Sequence, residues 1–142
     1  RAATDPAISL HIFTALCLEL PPAGKGVEAS LAGPIVERLF GDYEELAFLA
    51  PVRNASLPAN IQVSELYFKA GSMKNVPGAQ RNYISSNYTH IVRDLYDAGV
   101  NVMVQLVAAR DTEQGLSLSL SCNPDTGMEM LDRYRQSTRT GY

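Results

Sequence analysis

The sequence is poor in the residues that build metal centres and cross-links. Its 142 residues include no tryptophan, two cysteines and two histidines. Two cysteines cannot form a disulfide framework in a chain of this length, and they favour a reduced, cytoplasmic setting. Neither belongs to a CxxC motif, and His11 lies far from His90 in sequence, so we expect no metal site. A net charge of −3 leaves no basic stripe for a phosphate backbone, which argues against a nucleic-acid partner.

Long hydrophobic runs are also missing. The longest apolar region, from Ile8 to Leu20, is interrupted by His11 and Glu19 and is too short to cross a bilayer, so we expect no membrane partner. The polar residues 1–6 do not resemble a signal peptide. Because the chain lacks an initiating methionine, we expect it to be a piece of a larger protein.

What the chain does contain is ample apolar content, 46% of residues, interleaved in strand-like and helix-like patterns. Period-two alternation predicts three strands, Ile8–Thr14, Val100–Val107 and Leu116–Ser121, and shorter ones at Ile61–Val63 and Asn82–Ser85. Helical spacing predicts helices over Val27–Phe40, Tyr43–Leu49, Tyr88–Ala98 and Asn123–Arg135.

These elements predict one α/β domain over residues 1–142, with a frayed tail at 136–142. We expect a mixed, mostly parallel open sheet flanked by helices and incomplete at both ends. The polar link 110–115 is short enough to make the last two strands an antiparallel pair. Within Val27–Phe40, Pro34 either opens a second helix or kinks a longer one.

Three segments carry a resemblance to a known family. Asn82–Leu95, Val102–Ala108 and Leu118–Asp125 follow one another in an order that resembles the acetyl-CoA hydrolase and CoA-transferase family. Upstream, Leu31–Asp42 and Leu57–Ile61 resemble a bacterial subgroup of it. The resemblance covers most of the chain and implies the amino-terminal half of such an enzyme. The family's catalytic glutamate and glycine-rich oxyanion loop lie in the other half and have no counterpart here.

The resemblance implies an activity in acetate metabolism that moves CoA between acyl groups or hydrolyses acyl-CoA through a glutamyl-CoA thioester. Coenzyme A and acetyl-CoA are then substrates, with no permanently bound cofactor, and acyl-CoA and carboxylates are the small-molecule partners. A homo-oligomer, or docking to the missing carboxy-terminal half, is also implied. We expect this piece alone to be inactive. Two alternatives stay open: a non-catalytic α/β module that binds a CoA-like anion, and an inactive structural fragment.

Two predicted strand ends supply the candidate binding residues. Open α/β sheets bind ligands at the carboxyl ends of their strands, where helix amides can meet an anionic oxygen. The resemblance implies that the first of these turns borders the acyl-CoA cleft. The candidates for substrate and CoA binding are Ser85, Ser86, Asn87, His90, Ser121 and Asn123.

Catalytic residues stay unassigned. Ser86 and His90 are spaced to meet as nucleophile and base at a helix start, but we favour the interpretation in which Ser86 or Asn87 caps the helix and His90 lies on its surface. Glu65 follows a possible strand and is the carboxylate to test as a covalent carrier, although we favour a solvated glutamate. We interpret His11 as a hydrogen-bonded core histidine.

Overall fold

A computed structural model describes residues 2–21, 24–120 and 126–137. The chain is a mixed α/β protein of helices and small sheets, as the sequence predicts. No helix within the described ranges is both long enough and apolar enough to span a membrane. Two compact units, Arg1–Ser85 and Ser86–Tyr142, make up the chain, and each is described by itself.

The first unit contains a pair of parallel strands. Its elements are β1 (Leu10–Thr14), α1 (Val27–Phe40), α2 (Leu49–Arg53), β2 (Ile61–Glu65) and α3 (Pro77–Arg81). Leu10 of β1 lies opposite Ile61 of β2, and Thr14 lies opposite Glu65. The predicted strand at Asn82–Ser85 is reduced to one parallel bridge between Tyr83 and Glu65. Of the expected open parallel sheet, the described residues therefore form only this pair and its bridge.

The core of the first unit lies beside the strands. Leu49, Met73 and Ala79 are buried there, and Cys17 and Phe68 pack against them. The amide of Asn60 ties the amino-terminal turn to this unit by donating to the carbonyl oxygens of Ala2, Asp5 and Ile8, at 2.9, 3.3 and 2.7 Å.

Helix α1 has the predicted bounds and runs without a break through Pro34. This continuity excludes the alternative in which Pro34 opens a second helix. Within this fully described helix no residue is buried.

The predicted helix at Tyr43–Leu49 is wrong, because α2 begins where that helix was expected to end. Pro51 lies in the first turn of α2, where a missing N–H group leaves no intrahelical hydrogen bond unmade. Helix α3 was not predicted, and it begins at Pro77 for the same reason.

The second unit contains α4 (Ile91–Asp97), an antiparallel hairpin of β3 (Ala108–Thr112) and β4 (Gly115–Ser119), and α5 (Gly127–Arg135). The antiparallel pairing is confirmed, but the strand predicted over Val100–Val107 is wrong. β3 instead lies largely in the expected polar link, because the tight turn at residues 113–114 fixes which residues can pair.

Helices α4 and α5 pack together in this unit, and Ile91 of α4 and Met130 of α5 are buried. The Tyr96 and Tyr134 rings lie 6.2 Å apart, centroid to centroid. Gly99 follows α4 in the left-handed conformation, φ 80°, as the sequence predicts for a helix stop.

Candidate functional site

The candidate site of the first unit lies at the carboxyl ends of its parallel strands. Thr14 ends β1 and Glu65 ends β2 in register. After β1 the chain turns sharply at Leu16, whose φ of 42° is in the left-handed region, and the Leu16 N–H donates to the Tyr67 carbonyl at 2.7 Å. Strained backbone of this kind concentrates near ligand sites.

Glu65 is the central acidic group of this edge. Its residue is 6% exposed, so the interpretation of a solvated glutamate is wrong. Burial raises the pKa of the Glu65 carboxyl, and the negative charge of Glu19 raises it further. Hydrogen bonding from the backbone amide and thiol of Cys17 opposes that rise in pKa without cancelling it. The carboxyl is therefore held toward its neutral form.

Cys17 is a half-buried free thiol beside this carboxyl. Its Sγ atom lies 3.0 Å from Oγ1 of Thr14. Burial is the main cause of a raised pKa for the Cys17 thiol, the Thr14 hydroxyl lowers that pKa, and the charges of Glu65 and Glu19 raise it. At neutral pH the edge therefore presents a protonated thiol rather than an activated thiolate.

Glu19 carries a negative charge at the same edge, and Arg53 forms an ion pair with it. Its Oε2 atom lies 2.5 Å from Nη2 of Arg53, which lies in the last turn of α2. The Glu19 side chain is 9% exposed and that of Arg53 is 35% exposed, so the ion pair is only partly screened by water.

His11 lies on β1, where its Nε2 atom is 2.8 Å from the hydroxyl of buried Ser64. Its ring also lies 4.0 Å from that of Phe13. Burial lowers the pKa of the His11 imidazole. His11 is hydrogen-bonded as predicted, but the prediction of a core histidine is wrong, because the residue is exposed at the surface. Among the residues that the structure describes, no three His, Cys, Asp or Glu side chains form a group that could hold a metal ion.

Of the predicted binding residues, Ser85 falls in the first unit. It is exposed and lies two residues beyond the Tyr83 bridge, after the Ile84 N–H donates to the Glu65 carbonyl at 3.0 Å. Ser85 therefore leaves the sheet at the edge where β2 ends.

Ser86 falls in the second unit, and its hydroxyl donates to Oδ2 of Asp94 at 2.6 Å. Arg93 donates to Oδ1 of the same carboxylate at 2.7 and 3.0 Å. The Ser86 hydroxyl, and then the Arg93 side chain, lower the pKa of Asp94. The Ser86 proton is thus directed to Asp94, and the pairing of Ser86 with His90 as nucleophile and base is not formed.

The predicted side-chain cap by Ser86 or Asn87 is wrong, because α4 begins after His90 and no side chain caps it. Asn87 begins the turn before the helix. Its Oδ1 atom accepts from the Thr89 N–H at 3.0 Å, and its carbonyl accepts from the N–H groups of His90 and Ile91. His90 is exposed and directly precedes α4, in agreement with a surface histidine. The remaining candidates, Ser121 and Asn123, lie outside the described residues.

Sequence reasoning missed several residues of the two sites: Thr14, Cys17, Glu19, Arg53 and Asp94. For Thr14 and Cys17 a signal was available, since both come at or just after the end of a predicted strand. Arg53 contacts Glu19, and Asp94 contacts Ser86. The partners in each contact are distant in sequence, so no local sequence pattern predicts either one. The edge in the first unit places the Glu65 carboxyl, whose pKa is raised, beside the Cys17 thiol, and the thiol can donate a weak hydrogen bond to a neutral oxygen such as a carbonyl.

Comparison with known proteins does not extend this description: no protein-family model, curated protein or solved structure matches the chain.

Proposed function

We propose that this chain is part of an acetyl-CoA hydrolase or CoA-transferase that moves CoA between acyl groups or hydrolyses acyl-CoA. The observation that supports it best is the concentration of polar groups, Thr14, Cys17 and Glu65, at the carboxyl edge of parallel strands. Open α/β sheets bind ligands at this edge. The proposal includes the finer fold, a mostly parallel CoA-transferase-like half, and a cytoplasmic location.

In this proposal, the edge binds the carbonyl oxygen of a thioester through a hydrogen bond. A carboxyl that stays protonated can donate a hydrogen bond to the carbonyl oxygen, where negative charge develops when a nucleophile attacks. Glu65 has the required burial and direction of pKa shift. In this proposal Glu65 is a hydrogen-bond donor, and the glutamate that carries CoA lies outside this chain.

The covalent chemistry proceeds in two displacements. The carrier carboxylate attacks the thioester carbonyl, the C–S bond breaks, and a mixed anhydride and CoA thiolate result. The thiolate then attacks the glutamyl carbonyl, and the acyl group leaves as a carboxylate. Transfer of CoA to a second carboxylate, or attack by water, regenerates the carrier.

Binding of CoA to the 142-residue chain tests the proposal by titration calorimetry. We expect measurable binding, and Ser85→Ala and Asn87→Ala each raise Kd by about three- to tenfold, the effect of one lost hydrogen bond. Ser117→Ala, on exposed β4, is the matched control and leaves Kd unchanged. Absence of CoA binding at millimolar concentration contradicts the proposal, and unchanged Kd in both variants removes the turn from the site.

Intact mass spectrometry after incubation with acetyl-CoA tests where the carrier lies. We expect no adduct on this chain. A mass gain equal to CoA less one water, absent in Glu65→Gln, would instead make Glu65 the carrier and would contradict the role of hydrogen-bond donor.

A further inference from the structure

An apolar stripe runs along the exposed side of α1. Val27, Leu31, Ile35 and Leu39 recur at every fourth position and are 87%, 73%, 50% and 62% exposed. Steps of four residues place all four side chains within about 120° of the helix circumference. A ridge of this i, i+4 type packs into the groove beside a similar ridge on another helix. Contiguous exposed apolar surface of this kind marks an interaction site.

Two charges of opposite sign lie within the same arc. Glu28 is in the first turn of α1, and Arg38 is in the last. They lie at opposite ends of the stripe and are too far apart along the helix to pair with each other. A partner that covers the stripe therefore has to present a positive charge near Glu28 and a negative charge near Arg38.

A second copy of α1, running antiparallel, meets this requirement. Val27 and Leu39, Leu31 and Ile35, and Glu28 and Arg38 are three pairs that all centre on position 33. A two-fold axis at that level therefore brings each residue against its pair on the other copy. Such a self-complementary arrangement is the definition of an isologous interface. It also aligns the two helix dipoles in opposite directions, which is favourable.

We infer that α1 is a homodimerisation surface, on which Val27, Leu31, Ile35 and Leu39 pack antiparallel against the same residues of a second copy and Glu28 pairs with Arg38 across the axis. The inference is independent of the proposed CoA chemistry. Because one helix face is smaller than a standard interface, we expect a weak dimer with a micromolar Kd.

Sedimentation equilibrium of the 142-residue chain, from low to high micromolar concentration, tests the dimer. Leu31→Glu at the centre of the stripe raises Kd by at least about tenfold, as for a buried apolar anchor at an interface. Leu118→Glu, on β4 of the second unit, is the matched control, since Leu118 is also exposed, at 59%. A monomer at all concentrations overturns the inference. Loss of the dimer in Leu118→Glu but not in Leu31→Glu also overturns it and assigns the contact to the hairpin.

Charge reversal tests the antiparallel register. Glu28→Arg alone and Arg38→Glu alone each place like charges together at both ends of the interface and raise Kd by about three- to tenfold. The double variant Glu28→Arg/Arg38→Glu restores both opposite-charge pairs and returns Kd toward that of the natural chain. Far-UV circular dichroism confirms that α1 persists, because the reversed charges oppose the helix dipole. With α1 intact, failure of the double variant to recover overturns the antiparallel register.

Discussion

The hydroxyl of Ser86 donates a hydrogen bond to Oδ2 of Asp94 at 2.6 Å. This contact determines what Ser86 can offer a ligand. With its proton engaged, the hydroxyl oxygen can only accept a hydrogen bond, so Ser86 suits an N–H group better than an anionic oxygen. Within the predicted CoA-binding turn, a contact to the amides of a pantetheine arm therefore fits Ser86 better than a contact to phosphate.

Removal of this hydroxyl should raise the pKa of Asp94. Ser86 is the largest cause of the lowered Asp94 pKa, and Arg93 is the next. In Ser86→Ala we therefore expect the Asp94 pKa to move up toward its ordinary value of 3.8, measured by NMR titration of the side-chain carboxyl carbon. Ser85→Ala is the neighbouring control and should leave this pKa unchanged. An unchanged Asp94 pKa in Ser86→Ala would show that the hydrogen bond is not formed in solution.

The outcome for α1 and β3 shows where sequence patterns succeed. The bounds of α1 were predicted because its period and the glycines at both ends are local properties of the chain. The alternation over 100–107 is equally clear, but a strand also needs a partner. The structure leaves Val102, Val104 and Leu106 at 71%, 89% and 89% exposed. Pairing is a non-local property, and here the hairpin turn determines it.

In the candidate site, too, local sequence patterns were the basis of a prediction, whereas features that depend on non-local contacts were missed. The turn from Ser85 to Asn87 was predicted because a strand end followed by a helix start has a local signature, but the structure reduces that strand to one bridge at Tyr83 and begins α4 at Ile91. The burial of Glu65 was not predicted, since it depends on the parallel pairing with Thr14 and on the position of Cys17. The predicted strand also ended at Val63, two residues too early to include Glu65.

Ala55 occupies a position that favours glycine. It follows α2 with φ 53°, its N–H donates to the Val52 carbonyl, and the Ser56 N–H donates to the Pro51 carbonyl at 2.9 Å. These two hydrogen bonds form a Schellman motif, in which this residue is usually glycine.

Ala55→Gly should stabilise the protein by about 0.5 to 1 kcal/mol, because relief of left-handed strain exceeds the extra entropy of glycine when unfolded. Urea unfolding followed by far-UV circular dichroism measures the change. Ala50→Gly, within the same helix, is the control and should destabilise by about 0.5 to 1 kcal/mol. If both variants lose stability equally, the left-handed cap is absent.

Asn60 stabilises the amino-terminal turn through three carbonyl acceptors. Asn60→Ala removes these hydrogen bonds and should lower the free energy of unfolding by about 1 to 3 kcal/mol. Asn60→Asp keeps the shape but replaces the donor with a negatively charged acceptor facing the same carbonyls, so we expect a larger loss. Asn101→Ala, at an exposed position, should stay within about 0.5 kcal/mol of the natural chain. Equal stability of Asn60→Ala and Asn60→Asp would contradict a role as donor.

The raised pKa of Glu65 makes stability depend on pH in a specific direction. In the folded chain this carboxyl binds its proton up to a higher pH than in the unfolded chain, where the ordinary value is 4.5. Between those two pKa values the folded state holds more protons, so the stability contributed by Glu65 is lost as pH rises. The glutamine side chain in Glu65→Gln cannot ionise, so this variant does not lose stability at position 65 as pH rises.

We therefore expect the free energy of unfolding of Glu65→Gln, minus that of the natural chain, to increase as pH rises above 4.5 and to level off above the folded pKa. Urea unfolding over a pH series measures this difference, in which the opposite contribution of His11 cancels because both proteins contain it. Glu44→Gln, at an exposed glutamate, is the control and should give a flat difference. A difference that instead falls with pH would mean that Glu65 is stabilised as a carboxylate, and the hydrogen-bond donor proposed for the thioester carbonyl would be lost with it.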